Sequence, residues 1–323
     1  MSKLSPDQNM SPKVCIVGCG AIGSLYAAHL ASVAEVYAFV RRPEQALALN
    51  RDGLRVSGKH NFKASLKAVT TANELPPCDL GIVCTKATQT EEAFAPAGKR
   101  FDGGAVISAQ NGLGSEEIIA RHTSGSVIRG TTFMSGTRHS DTHVQYELDT
   151  ATWLGPYEPT NTPFSVVREA ADLIVRSGLK AEALEDAKPA QWAKLIFNAS
   201  VNGVSALTEL PHCPAFADES SFSGLGHLLH HLINEGMKVA VARGIELRED
   251  PWDMNKIGAQ TNHPTSMLYD VRHHLATEVD YLGGAIAREA KLAGMEAPLH
   301  TALSNLIKGK EKLWQDESGS EQV

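Results

Sequence analysis

The sequence predicts an α/β protein in two parts, an N-terminal doubly wound parallel sheet and an all-helical C-terminal domain. Three observations predict it. Short apolar runs alternate with helical segments over roughly the first 140 residues, the pattern of strand–helix–strand units. The first run leads straight into a glycine-rich turn. After Pro163 strands nearly vanish and long helical segments take over.

Taken in order, residues 1–12 are polar with two prolines and read as a loose tail. Val14–Val17 is a short apolar run, expected as a buried parallel strand. Gly18-Cys19-Gly20-Ala21-Ile22-Gly23 follows, then a helix from Ser24 to Val33. Glu35–Val40 is the second strand, ended by Arg41-Arg42-Pro43, and a helix over 44–51 is closed by the turn Asp52-Gly53. Leu54–Val56 and Phe62–Leu66 read as short extended pieces. Asp79–Cys84, Ala105–Ala109 and Val127–Thr132 continue the strands of the sheet. His143–Leu148 and Thr150–Gly155 suit an antiparallel hairpin. Helices are expected over 164–177, 189–207, 220–243, 267–293 and 298–314. The polar stretch 185–189 is the expected linker, giving domains of 13–185 and 186–314, with 315–323 a solvated tail.

A chain of 323 residues can bury full cores without disulfides or a structural metal. The 30 Lys and Arg against 37 Asp and Glu leave a net charge of −7, which argues against a general binder of nucleic acid or anionic membrane. Five cysteines, with no C-x-x-C pair, fit reduced thiols of a cytoplasmic protein. The run from Val14 to Ala34 has no Asp, Glu, Lys or Arg, yet its three glycines and its serines and histidine suit a strand–turn–helix better than a membrane span. His227 and His231 have zinc-ligand spacing, but no third ligand is evident, and no metal is expected.

G-x-G-x-x-G between a strand and a helix is a dinucleotide-binding fingerprint of the Rossmann type. Gly18 permits the tight turn, Gly20 a close approach of backbone to pyrophosphate, and Gly23 close helix–strand packing. The free N–H groups at the helix start favour the diphosphate. A tight turn without a ligand is the other reading. An NAD enzyme usually carries Asp or Glu at the end of the second strand. Here Arg41 and Arg42 stand there, and their guanidiniums suit the 2′-phosphate of NADP(H). Two solvated surface arginines are the alternative.

Lys194, Asn198 and Asn202 are spaced i, i+4, i+8, so one helix face presents all three. Leu195–Thr208 is otherwise free of charge, and polar groups on an apolar helix need partners that a ligand can supply. A snorkelling lysine with two backbone-bonded asparagines explains the spacing equally well.

Several motifs carry a resemblance. They are Gly18–Gly23, D-L-G-I-V-C-T-K at 79–86, Q-N-G-L-G at 110–114, W-A-K-L-I-F-N-A-S-V-N at 192–202, H-P-T-S-M-L-Y-D-V at 263–271 and T-E-V-D-Y at 277–281. In order and spacing, over 13–313, the chain resembles the ketopantoate reductase (2-dehydropantoate 2-reductase) family. The resemblance implies a Rossmann domain, a helical domain, a cleft between them, and reduction of a 2-oxo acid by NADPH. It implies Lys194 as general acid, Glu278 as its partner and a substrate ligand, and Asn198, Asn202 and Ser266 as substrate ligands. Asn111 and Lys86 are implied to line the site near the nicotinamide. Taken without the resemblance, Glu278 is an exposed residue within a helix, Ser266 a helix N-cap, Asn111 a turn residue and Lys86 a surface lysine.

Three places depart from the family pattern: Gly283 and His300, where many members have Asn, and His273-His274-Leu275-Ala276, where Gly and Arg are usual. All are expected beside the substrate, which leaves room for a bulkier carbonyl or an imine. A third reading is a non-catalytic NADP-binding sensor, which would need no proton donor. The long helical half allows a homodimer.

Overall fold

The computed structural model describes residues 11–220 and 224–320, with residues 315–320 by backbone alone. The chain divides into two units. One comprises Met1–Gln110 and Ser115–Ala187; the other comprises Asn111–Gly114 and Lys188–Val323.

Among its described residues the first unit carries twelve strands: β1 Lys13–Val17, β2 Glu35–Phe39, β3 Leu54–Gly58, β4 Phe62–Ala64, β5 Lys67–Val69, β6 Leu80–Val83, β7 Ala105–Ser108, β8 Ser126–Thr132, β9 Ser135–Ser140, β10 His143–Leu148, β11 Thr152–Pro156 and β12 Ala181–Ala183. Its helices are α1 Ala21–Leu30, α2 Pro43–Asp52, α3 Thr90–Phe94, α4 Ser115–His122 and α5 Phe164–Arg176. Eight strands form the main sheet in the order β12-β11-β8-β7-β6-β1-β2-β5. From β5 to β8 every pairing is parallel, while β11 runs antiparallel to β8. The order turns back at β1, flanked by β2 and β6, so the carboxyl ends of β1 and β6 form the switch point where such sheets bind ligands.

The expected hairpin over 143–155 does not form. β10 joins a second sheet, β4-β3-β10-β9, and β11 joins the main one. That second sheet explains the charge-free run from Val14 to Ala34. Helix α1 packs on the main sheet by one side and on β3, β9 and β10 by the other, so every residue from Gly23 to Leu30 is buried. A helix buried all round has no solvent face on which to carry charge. Its polar members find internal partners: the Tyr26 hydroxyl shares a hydrogen bond with Thr152, and His29 bonds Leu25 O and His60.

The second unit is helical: α6 Lys188–Thr208, α7 Leu225–Ala242, α8 Pro251–Ala259, α9 Ser266–Arg272, α10 Gly283–Leu292 and α11 Pro298–Ser320. Its core gathers Trp192, Ile196, Leu229, Ile233, Ile286 and Ile307. Helices approach closely where a side chain is missing: a Cβ on Gly203 would lie 2.5 Å from Leu303, and one on Gly236 2.9 Å from Ile196.

The division between the two units falls inside the stretch 185–189 expected as a polar linker, where Ala187 is buried and Lys188 opens α6. Two further expectations change. The single helix over 267–293 is two, α9 and α10. Residues 315–320 continue α11 instead of forming a tail, whereas residues 1–10 and 321–323 of the expected tails, and 221–223 of the helix expected over 220–243, lie outside the described residues. No described helix is long and apolar enough to cross a membrane.

Candidate active site

The glycine turn sits at the switch point of the first unit. Gly18 has φ +90°, and a Cβ there would lie 2.6 Å from Thr85, just past β6. A Cβ on Gly23 would lie 2.0 Å from Gly18 O, so only glycine lets α1 start this close to the turn. A Cβ on Gly20 would meet nothing within 4 Å among the described residues, so the backbone is open on that side. Gly20 caps α1 without a side-chain hydrogen bond, and no acid stands in the first turn, where Ala21 and Ile22 begin the helix. These are the free N–H groups and the open approach that a diphosphate requires. Gln45 and Ser24 both donate to Cys19 O, at 2.9 and 3.5 Å, and fix the turn from behind. The Cys19 thiol is buried, which pushes its pKa up to about 12 and keeps it protonated. Arg41 is exposed just past β2, and Lys86 is half-buried after β6.

The polar residues expected for chemistry meet in the second unit. Lys194, on α6, donates to Asn111 Oδ1 at 2.9 Å, and Asn111 Nδ2 donates to Glu278 Oε2 at 3.4 Å. The amide thus turns its oxygen to the cation and its NH2 to the anion. Burial lowers the Lys194 pKa to about 8, against the upward pull of the Glu278 carboxylate. Asn198 and Asn202 lie one and two turns further along α6. Both side chains are buried, and their amides make no hydrogen bond within the described residues.

The geometry of Glu278 overturns the helix expected around it. Helix α9 ends at Arg272, and His274 takes φ +53°. His274 N–H then bonds Val271 O and Leu275 N–H bonds Asp270 O, a Schellman termination with histidine where glycine is usual. Glu278 therefore sits in an irregular turn, 4% exposed, instead of on a solvent-facing helix.

One expectation around the site moves. Ser266 is the first residue of α9, exposed, and makes no hydrogen bond within the described residues; the cap is Thr265, which accepts from Leu268 N–H at 3.1 Å. His300 is wholly buried, its Nε2 donating to Leu232 O at 3.0 Å, and buried Gly283 faces His300 and Ser304. Both are buried within the second unit, as Asn198 and Asn202 are, and His300 Nδ1 and the Ser304 hydroxyl make no hydrogen bond among the described residues.

Four positions escaped the sequence reading. Leu113 N–H bonds Tyr281 O at 3.0 Å, and Gln191 donates to Gly112 O at 3.4 Å. Gly112 has φ +86°, with space for a Cβ closed by Tyr281 O at 2.1 Å. These contacts hold Asn111–Gly114 against the Glu278 turn and set Asn111 between Lys194 and Glu278. The only sequence signals were the glycines flanking Leu113 and the place of Gln191 one turn before Lys194.

Family models of ketopantoate reductase PanE/ApbA match residues 14–159, and of its C-terminal part residues 186–311. The chain belongs to the ketopantoate reductase family. It is therefore an oxidoreductase of the class acting on CH–OH groups. Among the similar proteins, 2-dehydropantoate 2-reductase of Pyrococcus horikoshii is 32% identical over 93% of this chain and 98% of its own, and that of Archaeoglobus fulgidus 30% identical over 93% and 98%. The crystal structure of 2-dehydropantoate 2-reductase from Geobacter metallireducens matches with a TM-score of 0.81 at 25% identity, over 92% of this chain and 99% of that one. The ternary structure of D-mandelate dehydrogenase with NADH and anilino(oxo)acetate shares the ketopantoate reductase fold at a TM-score of 0.84 and 24% identity, over 94% of this chain and 99% of that one.

Proposed function

We propose that this chain reduces ketopantoate, or a close 2-oxo acid, to the 2-hydroxy acid with NADPH, and that Lys194 is the general acid. The observation that carries the proposal is a lysine with a pKa near 8, bonded through Asn111 to Glu278, on a helix face that also bears two buried asparagine amides with no hydrogen bond among the described residues.

The glycine turn fits a dinucleotide, with Gly18, Gly20 and Gly23 shaping the cradle and the N–H groups of Ala21 and Ile22 facing the diphosphate. When bound, the dihydronicotinamide supplies the hydride that the carbonyl carbon accepts. Lys194 polarises the carbonyl oxygen and passes its Nζ proton to it, completing the alcohol, then regains a proton from solvent. Asn198 and Asn202 satisfy their amides on the substrate's oxygens, and Ser266, exposed at the start of α9, offers a hydroxyl to its carboxylate. Glu278 favours the protonated lysine, and Asn111 keeps the two in register. Arg41 takes the 2′-phosphate, and Lys86 adds positive charge beside the cofactor.

NADPH oxidation followed by absorbance, with ketopantoate beside bulkier 2-oxo acids, tests this. Wild type turns over ketopantoate fastest, and Lys194→Ala loses at least about 100-fold in kcat while still binding NADPH. A Lys194→Ala variant as fast as wild type would remove the lysine from the chemistry. Absence of turnover with every 2-oxo acid would remove the substrate class.

A further inference from the structure

The two arginines that close β2 are in different states. Arg41 is exposed and makes no ion pair or hydrogen bond within the described residues. Arg42 is paired with the carboxylate of Asp141, in the turn between β9 and β10, 99 residues further along the chain. Arg138, on β9, donates to the same Asp141 oxygen at 2.8 Å. One carboxylate therefore gathers two guanidiniums, and Arg41 is the chain neighbour of one of them.

This cluster adjoins the glycine turn. Arg42 is the N-cap of α2, and Gln45 from the first turn of that helix bonds Cys19 O. On β9, a Cβ at Gly136 would lie 3.1 Å from Leu25 of α1. The Arg138 guanidinium also partly offsets the effect of burial on the Cys19 thiol, which puts its charge within reach of the turn.

We propose that Arg138 is a further guanidinium of the 2′-phosphate site, and that Asp141 holds the place of the phosphate until the cofactor displaces it from Arg42. The proposal rests on the NADPH reading above. A carboxylate oxygen between two guanidiniums makes the same charge-assisted hydrogen bonds as a phosphate oxygen. A phosphate brings about two negative charges and three acceptor oxygens, so it serves more guanidiniums at once than one carboxylate does. The Asp141 pairs are half-exposed, with Arg42 and Arg138 side chains 45% and 38% accessible, so giving one up costs little. Asp141 also keeps the arginines from repelling one another while the phosphate is away. NADH, which lacks the phosphate, leaves the pairs intact and gains nothing from them.

Fluorescence titration of the full chain with NADPH and with NADH, without substrate, tests the proposal on wild type, Arg138→Gln and Asp141→Asn. Arg138→Gln weakens NADPH about tenfold, the loss of one charge-assisted bond, and leaves NADH within about twofold. Asp141→Asn removes the competitor and tightens NADPH by about two- to fivefold, again with NADH unmoved. Should wild type prefer NADPH while both variants keep the NADPH-to-NADH ratio, the site stands without Arg138 and Asp141, and the inference falls alone. Weaker NADPH binding in Asp141→Asn would overturn the place-holding role. Should wild type bind NADH as tightly as NADPH, the cofactor reading itself fails, and this inference with it.

Discussion

Lys194 shows how one helix position becomes a proton donor. An amine near its ordinary pKa holds its proton too firmly to release it to a carbonyl oxygen. Burial brings Lys194 down to about 8, close to the pH at which a general acid is most effective. Glu278 works the other way, so its carboxylate sets how far the lysine falls. In Glu278→Gln that support is gone and the Lys194 pKa drops further. The falling limb of kcat against pH, expected near 8 in wild type because the reduction needs protonated lysine, then moves to lower pH. An unmoved limb in that variant would uncouple the pair. Asn198 supplies a second case. Its amide makes no hydrogen bond within the described residues, so Asn198→Ala leaves stability within about 0.5 kcal/mol by urea unfolding while raising the KM for ketopantoate about tenfold. A normal KM would return the residue to a packing role. Lys194 and the two asparagines were legible because one long helix fixes their spacing. The bond from Asn111 to Glu278 spans 167 residues, and neither spacing nor the resemblance, which implied the two for separate roles, pointed to it.

At the scale of elements, the sequence reading failed where a signal was worn by an unexpected residue. Apolar periodicity runs through 267–293, and nothing in it marks the stop that His274 makes in a left-handed conformation, with its ring stacked on Trp314. The second sheet was missed in part because β9, SGTRHS, has four exposed residues and little hydrophobic alternation. The buried, apolar parallel strands β1, β2, β6, β7 and β8 were read within a residue or two, whereas the short β5 and β12 were not. The loop Asn111–Gly114 yields a direct test. Gly112→Ala must leave φ +86° and move a Cβ away from Tyr281 O, 2.1 Å distant. It is expected to cost about 1–3 kcal/mol of stability and to lower kcat more than it changes KM, because Asn111 shifts from between Lys194 and Glu278. Gly103→Ala, where a Cβ meets nothing within 4 Å, is the control. Equal kcat in the two variants would show that the loop does not position Asn111.

At the scale of the whole molecule, a histidine buried in the second unit ties stability to pH. His300 is wholly buried in the second unit, and burial lowers its pKa from 6.5 to about 4. Unfolding restores the ordinary value. Between those two pH values the unfolded chain binds the proton and the folded one does not. Stability is therefore full above about pH 6.5, falls as the pH drops through that window, and loses nothing further to this group below about 4. The most one such histidine removes is about 3 kcal/mol. His212, in the same unit, is shifted downward by burial as well, so His300→Asn abolishes part of the acid sensitivity and not all of it. Three of the four tryptophans, Trp192, Trp252 and Trp314, belong to the second unit, so tryptophan emission follows its unfolding. Urea unfolding read by that emission at pH 7 and pH 5 should show a smaller loss between the two in His300→Asn than in wild type. An equal loss would mean that His300 takes up its proton without unfolding, and the acid sensitivity would have to come from other groups.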